Sequence, residues 1–287
     1  MLDRESDTGV FPLHGTDELT QRRRNLIMSE RTGLKTVLLT AIGLGLSTGA
    51  AIGADTSPQL AQACTEGGYM LVMGGIEDPT TVPDAELAQS YGPAVWRLIE
   101  NYDAFYVLRG TPEVVYEGEW PAWKAAVISK WPCRETGLEF WNSDAYQKDV
   151  KPRRKDAGVY DVGMFNPANA TPPAAEQDLV PESCTTPFMA LILSNVTDAA
   201  AYGQYGKALG ETGLATRAGL QLLFSGQPME VLEGTWPEGV NALIMVYPCR
   251  AAWEAFYLSE QYVADIKPLR ANAGDFTIVG FTPERVE

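Results

Sequence analysis

The chain contains the same sequence pattern twice. Pro132-Cys133-Arg134 in the first copy matches Pro248-Cys249-Arg250 in the second, at an offset of 116 residues (249 − 133). The offset is constant from Trp120 to Gly158. A unit this long exceeds the repeats of solenoid proteins, so each copy is predicted to be a domain with its own core. Further matched positions are Trp120/Trp236, Phe140/Phe256, Ser143/Ser259, Tyr146/Tyr262, Lys151/Lys267 and Arg154/Arg270.

The first 63 residues have the pattern of an export signal. An apolar run from Thr36 to Ala54 follows the basic residues Arg31 and Lys35, and the small-residue triplet Ala61-Gln62-Ala63 comes after it. This order predicts a secretory signal that is cleaved after Ala63. A membrane anchor is the alternative, but the run is barely long enough to span a bilayer and is rich in Gly and Thr. We therefore expect a periplasmic or secreted protein with no stable membrane insertion after cleavage.

Two export routes fit the start of the chain. Arg23-Arg24-Asn25-Leu26-Ile27 resembles a twin-arginine motif, which directs a folded protein across the membrane. Met28, followed by Ser29-Glu30-Arg31, would instead begin a conventional signal peptide and leave the arginine pair untranslated. The sequence leaves open whether Met1 or Met28 is the initiator, and with it the export route.

Charge and histidine content exclude several kinds of function. The net charge of −15 repels phosphate backbones, and no basic cluster offsets it, so we expect no nucleic-acid partner. The only histidine, His14, lies in the segment that is predicted to be removed. Without histidine, the mature protein cannot use a Ser-His or Cys-His relay, and it cannot offer imidazole to zinc or haem. We expect no metal and no cofactor.

Hydrophobic periodicity predicts the order βαββαβ in each copy. The first copy has predicted strands at 69–73, 104–109, 114–120, 125–131 and 159–165, and helical regions at 83–101 and 134–155. The segment 114–120 is interpreted as an extended edge, and the second helical region as interrupted near Ser143 and at Pro152. The second copy repeats the order with predicted elements at 188–193, 198–214, 220–225, 242–247, 250–270 and 276–281.

This order is the ferredoxin-like split unit, an α+β fold with one antiparallel sheet and both helices on one face. The uncovered sheet face is apolar in both copies, so the two sheets are expected to pack on each other within one monomeric chain. The predicted boundaries are 1–63 for the signal segment, 64–165 and 184–287 for the two domains, and 166–183 for a linker rich in Pro and Ala.

Several of these residues resemble a known family. Both copies look like the family catalogued as domain of unknown function 1330. In the first copy the resemblance lies in Glu117-Gly118, Trp131-Pro132, Phe140-Trp141-Asn142-Ser143-Asp144-Ala145-Tyr146 and Pro152-Arg153-Arg154. In the second copy it lies in Glu233-Gly234, Tyr247-Pro248, Ser259-Glu260-Gln261-Tyr262 and Pro268-Leu269-Arg270. The resemblance covers Tyr69–Phe165 and Phe188–Phe281. It implies the dimeric α/β-barrel superfamily, in which two ferredoxin-like sheets pack face to face. Because the family has no established reaction, the resemblance implies a fold and little chemistry.

The four cysteines form two equivalent pairs. In this fold the first and third strands of a copy are antiparallel neighbours, so the start of one lies beside the end of the other. Cys64 precedes the first strand of the first copy and Cys133 follows its third; Cys184 and Cys249 hold the same places in the second copy. We predict the disulfides Cys64–Cys133 and Cys184–Cys249 in an oxidising compartment. A catalytic dithiol or a zinc site is the alternative, but the chain has no Cys-x-x-Cys.

Two arginines are candidates for ligand binding. Arg109 ends a predicted strand beside the space between helices and sheet, and the second copy has Ser225 there, so the scaffold does not require a cation. A cation at this place could orient an anionic group. Arg154 is the second candidate, although its repetition as Arg270 also suits a scaffold role in which it pairs with Asp149 or caps carbonyl groups.

Aromatic side chains could line an apolar cavity for a flat organic molecule. Tyr106, Trp131 and Tyr146 are candidates for this cavity, and an ordinary core is the alternative. Glu117 is a candidate general base if it is buried, and otherwise an exposed residue of a strand edge. Ser143 is interpreted as a helix cap, because no histidine would activate it as a nucleophile.

Three functions stay open on the sequence alone. The first is an exported protein that binds a small apolar or aromatic organic molecule of undetermined identity. The second is an enzyme that resembles the cofactor-independent monooxygenases or isomerases of the same superfamily. The third is a structural or partner-binding module without a ligand. A buried carboxylate beside a tyrosine in an open cavity would favour an enzyme, and a filled core would favour the third function.

Overall fold

The computed structural model describes residues 64–284, except residues 65, 79, 81–84, 170–173 and 175. The predicted signal segment, 1–63, lies outside the described residues. The elements of the first copy follow the predicted order and are β1 Gly68–Gly75, α1 Ala85–Glu100, β2 Phe105–Gly110, β3 Val114–Glu117, β4 Ala125–Trp131, α2 Arg134–Asn142 and β5 Val159–Phe165. A π-helical turn, Ala145–Val150, and a 3₁₀ turn, Lys151–Arg154, connect α2 to β5.

The second copy repeats these elements. They are β6 Phe188–Val196, α3 Ala199–Thr212, α4 Leu214–Arg217, β7 Gln221–Gly226, β8 Glu230–Glu233, β9 Val240–Tyr247, α5 Arg250–Tyr257 and β10 Gly274–Phe281. A π-helical turn, Tyr262–Ile266, and a 3₁₀ turn, Lys267–Arg270, again follow the last helix.

Local sequence explains why the second helical region of each copy changes its winding. The Ser143 hydroxyl donates to the Phe140 carbonyl (2.7 Å) and accepts from the Tyr146 N–H (3.1 Å), so it ends α2 and caps the next turn. Pro152 then sits at the start of the 3₁₀ turn, where its missing N–H costs nothing. Both predicted interruptions are confirmed: Tyr146 follows the first of them, and Arg154 follows the second.

Each copy gives one short strand to the sheet of the other copy. The first sheet has the order β2-β4-β1-β5-β8, and the second has the order β3-β10-β6-β9-β7. All their pairings are antiparallel, including β5 with β8 and β10 with β3. The other four strands of each sheet have the ferredoxin-like order. The sequence predicts an extended edge at β3, and the structure adds that this edge belongs to the opposite sheet.

The two sheets pack on each other through apolar side chains. Leu71 and Ile128 of the first sheet are fully buried in one cluster with Leu191 and Ile244 of the second. Phe224 of β7 lies in the same cluster, with its ring centroid 4.5 Å from that of Phe165 and 5.4 Å from that of Tyr69. The predicted α+β fold, with two sheets packed face to face in one chain, is confirmed.

The outer face of each sheet carries the helices of its own copy. Alternate residues of β1 divide between the two faces: Leu71 and Met73 belong to the cluster between the sheets, and Met70 belongs to a cluster with the helical residues Ile99 and Phe140. This alternation follows from the two-residue period of a strand. Each sheet therefore has one apolar face against the other sheet and one against its own helices.

Both predicted disulfides are present. Cys64 is bonded to Cys133, with a Cα–Cα distance of 5.3 Å, and Cys184 is bonded to Cys249 at 5.2 Å. The bonded residues are 69 and 65 positions apart. Loops of this length make each bond worth about 4 kcal/mol of stability in the chain-entropy model.

Over the described part of the chain, no helix is both long enough and apolar enough to cross a membrane.

The packing between the sheets generates a stability prediction. We expect Phe224→Ala to lower the free energy of unfolding by about 3–5 kcal/mol, because its ring is fully buried between the sheets and the neighbouring strands cannot collapse into the space. Leu258→Ala is the control, since Leu258 is 57% exposed, and it should change stability by less than about 0.5 kcal/mol. Urea unfolding of residues 64–287 measures both, and equal effects would contradict this packing.

Candidate functional site

A cavity of about 190 Å³ lies between the first sheet and the helices of the first copy. Most of its wall is aliphatic or aromatic, with Val95 and Ile99 from α1 and Met70 and Val72 from β1. The polar or partly polar side chains in the wall are Tyr91, Tyr106, Arg109, Ser129, Trp131, Tyr146, Arg154 and Tyr160. The space is therefore apolar with a few converging polar groups, as small-molecule sites usually are.

The structure brings five of the six predicted ligand-binding residues to this cavity and takes the sixth elsewhere. The five are Tyr106, Arg109, Trp131, Tyr146 and Arg154. Glu117 instead lies beside Arg270 of the second copy, with its carboxylate oxygens 2.8 Å from the guanidinium. Grouping Glu117 with the other five does not match the structure, because β3 crosses to the second sheet and carries Glu117 with it.

Arg154 is held at the cavity by a glutamate of the other copy. Its two terminal nitrogens donate to the two carboxylate oxygens of Glu233, at 2.8 and 2.6 Å, and Lys151 adds a contact to Glu233 at 2.8 Å. Burial tends to raise the pKa of Glu233, but the hydrogen bonds from Arg154 and Lys151 outweigh it and lower the pKa below its ordinary value. The carboxylate is therefore ionised. The sequence suggested Asp149 as a partner for Arg154; the partner is Glu233, from the exchanged strand β8.

The glycine after each of these glutamates lets the exchanged strand turn away from the sheet. Gly118 and Gly234 have φ values of +71° and +74°, which L-residues rarely adopt. A Cβ atom at Gly118 would also collide with the Phe276 carbonyl, and one at Gly234 with the Tyr160 carbonyl. In each copy, the Glu-Gly pair thus combines a carboxylate that contacts the other copy with a turn that only glycine allows.

Tyr91 and Tyr146 form a hydroxyl pair in the cavity wall, with 3.4 Å between the oxygens. Their mutual hydrogen bond uses one of the two hydroxyl protons, and Arg154, which interacts with Tyr146, has only donors. One proton of the pair is therefore left without an acceptor among the described residues. Burial raises the pKa of both phenols, so they stay neutral donors near neutral pH. The pair can donate a hydrogen bond to an acceptor in the cavity.

Arg109 lies where the cavity meets solvent. Its guanidinium carbon is 4.9 Å from the ring centroid of Trp96 and 4.7 Å from that of Tyr106, and its Nε donates to Glu284 at 2.8 Å. The side chains of Arg109 and Glu284 are 42% and 36% exposed, so this ion pair contributes little stability. A ligand carboxylate can take the place of Glu284 at the guanidinium.

The described residues of the wall include no Asp or Glu. The Trp131 indole N–H donates to the Ser129 hydroxyl at 2.9 Å, so it is already satisfied. What the arrangement offers a ligand is an aromatic and aliphatic enclosure, a spare hydroxyl proton and a partly exposed cation.

The second copy builds a related cavity of about 180 Å³. Tyr205 and Tyr262 form the matching hydroxyl pair, 3.2 Å apart, and Arg270 donates to both oxygens of Glu117. Glu117 also accepts from the Tyr257 hydroxyl at 2.7 Å and lies 3.2 Å from Lys267. Because β3 and β8 exchange places, the arginine in the wall of each cavity is paired with a glutamate of the other copy.

Sequence reasoning missed Tyr91, Ser129 and Tyr160. The repeat contained a signal for Tyr91, because Tyr91-Gly92 matches Tyr205-Gly206 near the centre of a predicted helix. Ser129 and Tyr160 carried no comparable signal, because the second copy has Met245 and Phe276 at the matching positions.

The pairing of Glu117 with Arg270 predicts a pH-dependent stability. Burial tends to raise the pKa of Glu117, but the hydrogen bonds from Arg270 and Tyr257 outweigh it and lower the pKa from 4.5 to about 2. A lowered pKa stabilises the fold above about pH 4.5, and this contribution is lost as the pH falls toward about 2. At pH 7, Glu117→Gln should be less stable by about 3 kcal/mol, because the guanidinium of Arg270, whose side chain is 3% exposed, loses its counter-charge.

Denaturant unfolding between pH 2 and pH 7 tests this prediction. The variant should be destabilised at pH 7 and approach wild type near pH 2, whereas the exposed-residue control Glu260→Gln should follow wild type throughout. A constant difference between Glu117→Gln and wild type across this range would contradict an ionised Glu117.

Comparison with known proteins finds similar solved structures at low sequence identity. An anthrone oxidase-like protein is 10% identical, with a TM-score of 0.46, over 77% of this chain and 92% of its own. A mutant chlorite dismutase from Candidatus Nitrospira defluvii is 13% identical, with a TM-score of 0.43, over 76% of this chain and 90% of its own. A protein of unknown function from Rhodopseudomonas palustris is 18% identical, with a TM-score of 0.30, over 39% of this chain and 91% of its own.

Sequence comparison assigns the family. No curated protein sequence matches the chain significantly. The family model described as domain of unknown function (DUF1330) matches residues 76–164 and 188–281, which together make up more than half of the chain. Each matched segment lies within one βαββαβ copy. The chain therefore belongs to the DUF1330 family and carries two copies of its domain.

Proposed function

We propose that this protein is exported and binds a small aromatic molecule, with at least one polar substituent, in the cavity of the first copy. The observation that carries this proposal is the cavity itself, an apolar and aromatic space that contains a spare tyrosine proton and borders the cation of Arg109. The family assignment is compatible with ligand binding and does not specify a ligand.

The size of the cavity sets the size of the ligand. An engineered apolar cavity of about 150 Å³ in another protein holds benzene. A cavity of about 190 Å³ accordingly accepts one aromatic ring with small substituents. Trp131, Phe140 and Trp141 supply flat surfaces for such a ring.

The polar groups set the chemistry of the ligand. The Tyr91–Tyr146 pair offers a proton to an acceptor, and Arg109 offers a charge to an anion. The two positive charges of Arg154 and Lys151 exceed the single negative charge of Glu233, so the surroundings of the Tyr91–Tyr146 pair are positive overall. A ring with a carboxylate or a hydroxyl group satisfies these groups better than an unsubstituted hydrocarbon does.

Binding explains this wall better than the two other functions do. A proton-transferring enzyme would need a base at the ligand, and the described wall of this cavity contains no carboxylate. A purely structural module would fill the space with side chains, as the region between the sheets is filled. The open cavity and its unused donor favour a ligand.

Export is supported by the disulfides together with the signal-like segment. Both bonds lie in the described structure, and such bonds persist in oxidising compartments. The signal-like segment lies outside the described residues.

Arg109→Ser tests the ligand site directly, because it introduces the residue found in the second copy. Titration calorimetry of residues 64–287 with benzoate should show ten- to a hundredfold weaker binding for Arg109→Ser, the loss expected for one charge-assisted hydrogen bond. Ser225→Ala is the matched control and should bind benzoate like wild type. Equal benzoate affinity in wild type and Arg109→Ser would remove Arg109 from the site, and a large loss of ligand-free stability would make Arg109 structural.

Export predicts a defined mature protein. When the full-length gene is expressed in a bacterial host, mass spectrometry of the periplasmic fraction should find a chain that begins at Cys64 and has both disulfides oxidised. Arg23→Lys/Arg24→Lys should block export only if translation starts at Met1. An uncleaved protein confined to the cytoplasm would contradict the proposed export. The proposed ligand binding would still be tested by the titration with benzoate.

A further inference from the structure

We propose that the cavity of the second copy is a separate ligand site, which takes an uncharged ring compound with a single hydrogen-bond acceptor. This cavity of about 180 Å³ lies between the second sheet and its own helices, and its wall comes from the second copy. The two cavities share no wall residue. The second site therefore stands independently of the site proposed above.

The acceptor on the ligand is required by the hydroxyl pair of this cavity. Tyr205 and Tyr262 have their oxygens 3.2 Å apart, and Arg270 donates to the Tyr262 oxygen at 3.5 Å. The mutual bond of the two phenols uses one proton, and the arginine has only donors. One phenolic proton is left without an acceptor among the described residues, and a carbonyl or ether oxygen in the cavity would accept it.

The charged side chains of the wall indicate that the ligand has no net charge. Arg270 is the one charged residue among the described wall residues, and both of its terminal nitrogens are taken by Glu117. Ser225, which replaces Arg109, is not in the wall, and Met245 stands where the first copy has Ser129. An ionised ligand would lose its hydration here without gaining a partly exposed guanidinium such as the one that borders the first cavity.

The aromatic residues of the second wall are arranged differently from those of the first. Trp253 stands on α5 at the place of Gly137 on α2, and its ring stacks on that of Tyr257 with centroids 4.7 Å apart. Its indole nitrogen is buried with no hydrogen-bond partner in the described part of the chain. The wall thus presents aromatic surface and the spare proton of the tyrosine pair, which matches an apolar ring that carries one acceptor.

Two equivalent glycines allow each cavity to be closed separately. Gly92 in α1 and Gly206 in α3 line the first and second cavity respectively. A Cβ atom added at either position meets nothing within 4 Å. Both glycines are exposed, so alanine there would improve helix propensity, and a bulky side chain is expected to obstruct the mouth of the cavity.

Acetophenone, which is uncharged and has one carbonyl acceptor, is the probe for the second site. In the Gly92→Phe variant, with the first cavity closed, titration should give one acetophenone bound per chain. Adding Gly206→Phe should weaken this binding at least tenfold, whereas Gly92→Phe/Gly203→Phe should bind like Gly92→Phe, because Gly203 is an exposed glycine of the same helix that does not line the cavity. Benzoate should bind Gly92→Phe at least tenfold more weakly than acetophenone does. Circular dichroism checks that each variant is folded, and Gly206→Leu replaces Gly206→Phe if the larger side chain disrupts α3.

Three results would overturn the second site: no saturable acetophenone binding to folded Gly92→Phe, undiminished binding after the second cavity is closed, or benzoate bound as tightly as acetophenone. Failure of the first site looks different. It would appear as wild type and Arg109→Ser binding benzoate equally, whatever acetophenone does.

Discussion

The two arginine–glutamate pairs that cross between the copies are the contacts on which the rest of the structure depends. The side chain of Arg270 is 3% exposed and that of Arg154 is 10% exposed, and each lies beside a carboxylate that its own copy does not supply. A guanidinium at such a depth is tolerated only with a counter-charge and filled hydrogen bonds. The exchange of β3 and β8 supplies both, so neither copy is electrostatically complete without the other.

The same pairs connect the fold to the cavities. Arg154 and Arg270 hold their positive charge next to the hydroxyl pairs Tyr91–Tyr146 and Tyr205–Tyr262. Because an arginine can only donate, it leaves each pair of phenols with a proton to give. A feature that stabilises the association of the two copies thereby also defines the polar end of each cavity.

Repetition preserved the scaffold and let the two cavities diverge. The glutamate, the arginine and the two tyrosines occur in both copies, whereas Arg109 and Ser129 give way to Ser225 and Met245. Large residues were also redistributed. Trp253 lies on a helix of the second copy where the first has Gly137, and a Cβ atom at Gly137 would collide with Met164. The two cavities thus have similar volumes, about 190 and 180 Å³, but different polar side chains in their walls.

The sequence by itself determined the features that repeat or periodicity encodes locally. These are the two βαββαβ copies, the helix interruptions at Ser143 and Pro152, the disulfide pairing and five of the residues around the first cavity. Only the tertiary structure decided that β3 and β8 change sheets, that Glu117 therefore serves Arg270, and that Tyr91 pairs with Tyr146. The physical reason is that a strand of four residues offers the same backbone donors and acceptors to any sheet edge. Its partner is selected by the packing of the two apolar sheet faces and by a counter-charge that is 79 residues away for β8 and 153 residues away for β3, and neither leaves a local pattern in the chain.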